Sequence, residues 1–155
     1  MTIVLRTIHG SRLYGLDSPA LDWDYYQVVV EGETRQNIVD RQDVTTVTLR
    51  DFERFVSKGV PQALEALYSP VRWGDWEWQP YLLSLRPNYW ETLQTYRRTI
   101  ANFFAAGDRK RVRHGFRLTF NAEEFQRRGC FNPCLTPDEI QAINDLTDGY
   151  MEGVE

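Results

Sequence analysis

The stretch His9-Gly10-Ser11-Arg12-Leu13-Tyr14-Gly15-Leu16, with Leu21-Asp22-Trp23-Asp24-Tyr25 shortly after it, decides how the rest of the chain is read. The Gly-Ser pair follows a short β-branched run, Thr2 to Ile8 (TIVLRTI), which reads as a first strand. A glycine at that turn permits close backbone approach, and the N–H and hydroxyl after it suit phosphate oxygens. Asp22 and Asp24 head a second apolar run, which reaches Val30 and reads as a second strand. Residues two apart on a strand share a face, so both carboxylates are expected to emerge together. Such a pair suits Mg²⁺, which binds through carboxylates while also holding substrate phosphates.

Outward from there, Asp17-Ser18-Pro19 reads as a loop and residues 31–42 as a polar loop. Asp43 to Thr48 (DVTTVT) is β-branched and reads as a third strand, again headed by an aspartate. Three carboxylates on neighbouring strands repel one another unless a cation neutralises them. Leu49, Phe52, Phe55 and Val56 then recur at helical spacing up to the Lys58-Gly59 stop. Pro61 opens a second short helix, which Ser69-Pro70 ends. Residues 71–80 (VRWGDWEWQP) carry three tryptophans, read as packing with base stacking as the alternative, and Leu82 to Leu85 is ambiguous. Asn88 and Glu91 form a capping-box-like start to a long helix that stops at Gly107, and Asp108 caps the next.

That next helix, Arg109 to about Phe120, carries a second pattern. At about 100° per residue, Lys110, His114 and Arg117 fall in one narrow sector. Val112, Phe116 and Phe120 lie roughly opposite, so the apolar side is expected to pack while Lys, His and Arg are presented together. A last helix is expected from Pro137 to about Leu146.

The chain has 155 residues and a formal net charge of −4, so it lacks a global basic footprint for nucleic acid. Cys130 and Cys134 have the spacing of neither a zinc pair nor a redox pair and read as free thiols of a reducing compartment. No apolar stretch is long enough to span a membrane, and Arg6 and His9 interrupt the only run that could imitate a signal peptide. His9 reads as packing beside the first strand, with a place in the site as the alternative.

The sequence resembles the predicted nucleotidyltransferases of bacteria and their phages, in the DNA polymerase β superfamily. GSRLYGLDSPALDWDYYQV is similar to that family's opening motif. DVTTVTLRDFERFVSKGVPQALEAL is similar to its third-strand aspartate, following helix and Gly-x-Pro…Leu-Glu turn, and KRVRHGFRL to its helical Lys…His…Arg signature. The resemblance implies an α+β fold: a small mixed sheet with helices over residues 1–70, and a helical lobe over 71–155 packed across a cleft in one compact unit. It implies transfer of a nucleoside monophosphate from an NTP, with Mg²⁺ or Mn²⁺, to an acceptor hydroxyl. Asp22, Asp24 and Asp43 match the catalytic, metal-binding carboxylates, and Gly10 and Ser11 the phosphate-gripping pair. Lys110, His114 and Arg117 match residues near the triphosphate or base, where Lys110 and Arg117 would offset the leaving group's charge.

The acceptor stays open among an RNA end, a protein hydroxyl and a small molecule, as do the preferred NTP and the oligomeric state. The expected place is the cytoplasm of a bacterial cell or a phage-infected host. Two rival readings remain: a catalytically silent nucleotide-binding or interaction module of this fold, and an RNA- or DNA-end binding protein using the Arg-rich helix.

Overall fold

The computed structural model describes residues 2–16 and 23–153. Asp22, with the Asp17-Ser18-Pro19 stretch, lies outside the described residues. The described strands are β1 (Ile3–His9), β2 (Trp23–Val29), β3 (Arg35–Val39), β4 (Gln42–Thr48) and β5 (Arg72–Trp73). They form one mixed sheet in the order β3-β4-β2-β1-β5. β2 and β4 run parallel, and every other neighbouring pair is antiparallel. With the helices below, this makes an α+β architecture.

β3 corrects the expected polar loop over residues 31–42. Its residues Arg35, Gln36 and Asn37 carry no hydrophobic alternation, and Ile38 is 79% exposed. It is an edge strand, paired only with β4 on the described sheet, so no buried face shaped its composition. The β3–β4 turn places Asp40 at φ 49° and Arg41 at φ 63°. Two consecutive positive φ values at a two-residue turn are the type I′ geometry that matches strand twist.

Helix α1 (Ser11–Tyr14) follows β1 directly, α2 (Leu49–Lys58) follows β4, and α3 (Pro61–Tyr68) follows α2. Thr48 caps α2 by accepting from the Asp51 N–H at 3.2 Å. Gly59 ends it in the left-handed region, against Thr92. Beyond β5 come a 3₁₀ turn (Trp76–Trp78) and α4 (Gln79–Ser84), which resolves the ambiguous stretch as helix. α5 (Tyr89–Ala106) starts at the Asn88 cap, which accepts from the Glu91 N–H at 2.9 Å. α6 (Arg109–Arg128) runs past the expected end near Phe120, stopping where Gly129 turns left-handed. α7 (Pro137–Gly153) also outruns its expected end near Leu146.

One cluster of buried side chains unites Leu5, Tyr26, Val28 and Val47 of the sheet with residues of α2 to α6, Phe131 included beyond them. The 71–80 tryptophans divide: Trp78 packs against this core, whereas Trp73 is 47% and Trp76 77% exposed. No described helix is long and apolar enough to cross a membrane. Cys130 and Cys134 are free thiols.

Register positions everything that follows. His9 pairs with Asp24, and Asp24 with Asp43. These three residues therefore form one row across β1, β2 and β4, at the end of the sheet face that α2 and α3 cover further along.

Candidate active site

A cavity of about 340 Å³ opens at this row, lined by His9, Gly10, Asp24 and Asp43 on the sheet side. Glu65 of α3 and Lys110, His114 and Arg117 of α6 also line it. Residues more than eighty positions apart in sequence thus face one space.

Gly10 sits at φ 69°, and a Cβ built on it would stand 2.1 Å from Asp24 Oδ2. Both the backbone conformation and the close approach call for glycine. Its carbonyl accepts from the Leu13 N–H at 3.0 Å, which starts α1. Ser11 is the first residue of that helix. Asp43 is held from the edge strand: Gln36 Nε2 donates to its two carboxylate oxygens at 3.0 and 2.9 Å. Sequence reading misses Gln36, because β3 carries no pattern that marks it as a strand.

The two described aspartates are adjacent on parallel strands, side by side on one face. An oxygen-seeking divalent cation that keeps part of its water shell fits such a donor set. Among the described residues no three His, Cys, Asp or Glu side chains converge as a metal-ligand set. Asp22, the expected third ligand, lies outside them.

The far wall is organised by Glu65, the Glu of the Leu-Glu turn, to which the sequence alone gives no role. Glu65 is fully buried within the apolar run Ala63-Leu64-Glu65-Ala66-Leu67. A lone carboxylate in such a run is the available signal, since burying an unpaired charge is costly. Arg117 Nη1 donates to Glu65 Oε1 at 2.6 Å, and the Tyr14 hydroxyl donates to Oε2 at 2.7 Å. His9 Nε2 stands 3.2 Å from the same Oε2, and the His9 ring stacks on Tyr26 at 5.5 Å. His9, the last residue of β1, therefore both packs against Tyr26 and borders the cavity. The Arg117 guanidinium also lies over the Tyr14 ring, 3.7 Å from its centroid. Burial alone would raise the Glu65 pKa, but the Arg117 charge and His9 override it and hold the carboxyl well below its ordinary range.

Lys110, His114 and Arg117 do not present themselves alike, as the helical wheel suggests they should. Lys110 is exposed at the cavity mouth, whereas Arg117 is 5% exposed and engaged by Glu65. The apolar sector is split too, because Leu118 and Phe125 carry the main burial of α6 against the core. The wheel angle is sound, but α6 is contacted by α5 and α7, with Phe116 meeting both, while Arg117 faces Glu65 of α3, so no single face is left to solvent. His114 lies between these extremes. Burial, then the positive charges of Arg117, Arg113 and Lys110, lower its pKa to about 4. Arg117 Nε donates to His114 Nδ1 at 3.3 Å, which leaves the ring proton of the neutral imidazole on Nε2.

Chemically, the cavity joins a carboxylate pair to one accessible ammonium, with a neutral imidazole N–H donor and a buried ion pair behind them. In comparison with known proteins, the chain matches no protein-family model and no curated relative.

Proposed function

We propose that this cavity is the site of a metal-dependent nucleotidyltransferase of the polymerase β type. The observation that carries the reading is the Asp24–Asp43 pair on neighbouring parallel strands, with Asp24 packed on the Gly10 turn. Lys110 across the same cavity adds the charge that a polyphosphate needs.

Asp24 and Asp43 would hold Mg²⁺ or Mn²⁺, with Asp22 beside them in sequence. When bound, the metal supplies charge neutralisation at the transferred phosphorus and at the departing oxygen. Asp43, oriented by Gln36, takes the proton of the acceptor hydroxyl as that oxygen bonds to the α-phosphorus. The bond from the α-phosphorus to the bridging oxygen breaks, and pyrophosphate leaves with the electron pair. Lys110 stabilises the charge on this leaving group. The Gly10–Ser11 turn grips phosphate oxygens. Arg117 acts through others: its charge is committed to Glu65, and it sets the tautomer with which His114 donates a hydrogen bond.

The test is pyrophosphate release from each of the four NTPs with Mg²⁺ or Mn²⁺ and pooled small RNA as acceptor. Release from one NTP is expected, with a fall of at least about a hundredfold in Asp24→Asn and Asp43→Asn. Both variants should melt close to the wild type. Release at wild-type rates in either variant, or NTP binding without any release, would reject the enzyme reading; the second result would favour a silent nucleotide-binding module.

A further inference from the structure

The sheet has a second face, opposite the side chains of Asp24 and Asp43, and Tyr25 on it also reaches the cavity lining. Alternation along the strands sends Asp24 and Asp43 to the cavity side and their neighbours to the other. Trp23, Tyr25 and Gln27 of β2, Arg6 of β1, Thr46 of β4 and Arg35 of β3 share that other side, as the register places Arg35, Thr46, Gln27 and Arg6 in one row with Trp73 of β5. The side chains agree with this assignment: Gln27 Nε2 donates to Thr46 Oγ1 at 3.0 Å, and the Trp23 and Tyr25 rings stack at 6.4 Å and 15°. The Arg12 guanidinium lies 3.9 Å over the Trp23 ring, Arg6 lies 4.6 Å over the Tyr25 ring, and the Trp73 edge meets Tyr25 at 6.5 Å. Arg35 and Trp73 are exposed, and Arg6, Trp23 and Tyr25 half-buried.

Among the described strand residues, charge on this face has one sign. Every aspartate among them falls on the cavity side, and no carboxylate projects from the face that bears Arg6 and Arg35. Neither of these arginines has a carboxylate partner among the described residues. The molecule as a whole carries −4, so a cation-and-aromatic face with no acid among its described strand residues stands apart from the rest of it. The aromatic planes match unpaired bases, which stack without regard to sequence, and interleaved guanidinium groups match both phosphates and base faces. Duplex DNA or RNA offers no exposed base faces to such a surface.

We propose that this face binds single-stranded nucleic acid. Its aromatic tier ends at Trp23 and Arg12, next in sequence to Asp24 and two positions from Gly10, so a strand lying on it reaches the rim of the catalytic cavity with one end. The acceptor of the transfer is then the end of a single strand; that role rests on the nucleotidyltransferase reading, whereas the binding itself does not.

The experiment measures fluorescence anisotropy of a labelled oligonucleotide of about ten residues with the full chain, in chelator and without NTP. RNA, DNA and a duplex of the same sequence are compared. Single strands are expected to bind more tightly than the duplex. Tyr25→Ala should weaken binding about tenfold. Arg35→Glu, on the exposed edge strand where folding is not at stake, should also lower the salt slope by about 0.7 for each phosphate left unneutralised. Preference for the duplex, no binding to any strand, or unchanged binding in both Tyr25→Ala and Arg35→Glu would overturn the proposal. Asp24-dependent pyrophosphate release without strand binding would reject the platform and leave the enzyme intact. Strand binding through this face with no release would do the reverse.

Discussion

At Glu65, burial opposes the charge and Arg117 and His9 restore it, so the carboxylate is ionised only as part of a pair. Removing one partner leaves the other charged in a dry interior, which costs about 3–5 kcal/mol. Glu65→Gln is expected to lose that much in urea denaturation. Glu65→Gln with Arg117→Met should lose clearly less than the two single losses together, because no charge is left unpaired. His114 gives a pH signature. Its folded pKa, about 4, lies below the ordinary 6.5. Between those values the unfolded chain binds a proton that the folded chain does not, so stability is complete above the ordinary value and falls as the pH drops toward 4. Over that window the wild type should lose about 3 kcal/mol, and His114→Gln should show a visibly flatter melting profile. Glu65 adds acid sensitivity of the same sign at lower pH, since its stabilisation disappears as the pH falls from its ordinary 4.5 through its depressed value.

Among the elements, the β3–β4 hairpin decides whether Asp43 is steered at all, because Gln36 reaches it from β3. Its turn residues Asp40 and Arg41 occupy the left-handed region that Asn-Gly fills at least cost. Replacing them with Asn-Gly is expected to stabilise the fold by about 0.5–1 kcal/mol, read as a Tm rise of about 2 °C. The same hairpin shows why legibility varies. Helix starts are readable because capping is local: Asn88, Asp108 and Thr48 each accept a bond from an N–H three residues on. β3 is unreadable because an edge strand with one exposed face needs no apolar period. β5, two residues long, has too little sequence to carry a pattern. The extra turns of α6 and α7 rest on tertiary packing, since each lies against the other.

For the molecule as a whole, the aspartate row and the Lys110 wall are on different halves of the chain yet border one cavity. A ligand spanning them stabilises the folded state by mass action. On the proposed nucleotidyltransferase reading, Mg²⁺ with the preferred NTP at a hundredfold excess over Kd would contribute about 2.7 kcal/mol, which for a chain of this size would raise Tm by about 5–10 °C. Thermal denaturation should show that shift in the wild type, its loss with chelator, and its absence in Asp24→Asn. A shift that persists in Asp24→Asn would place nucleotide binding away from this row.

The sequence by itself determined the strand-and-turn frame around Gly10, the starts of α2, α5 and α6, the glycine stops of α2 and α5, and the places of Asp24 and Asp43 near the heads of their strands. All of these depend on neighbours within a few residues, where φ preference, capping and alternation act. Tertiary structure alone decided that Asp24 and Asp43 stand side by side, because that needs β4 to lie parallel to β2 with β3 outside it. It also decided that Arg117 is spent on Glu65 while Lys110 stays open to the cavity. Residues 52 positions apart meet there, and no local period encodes which cation of a helix finds a buried carboxylate.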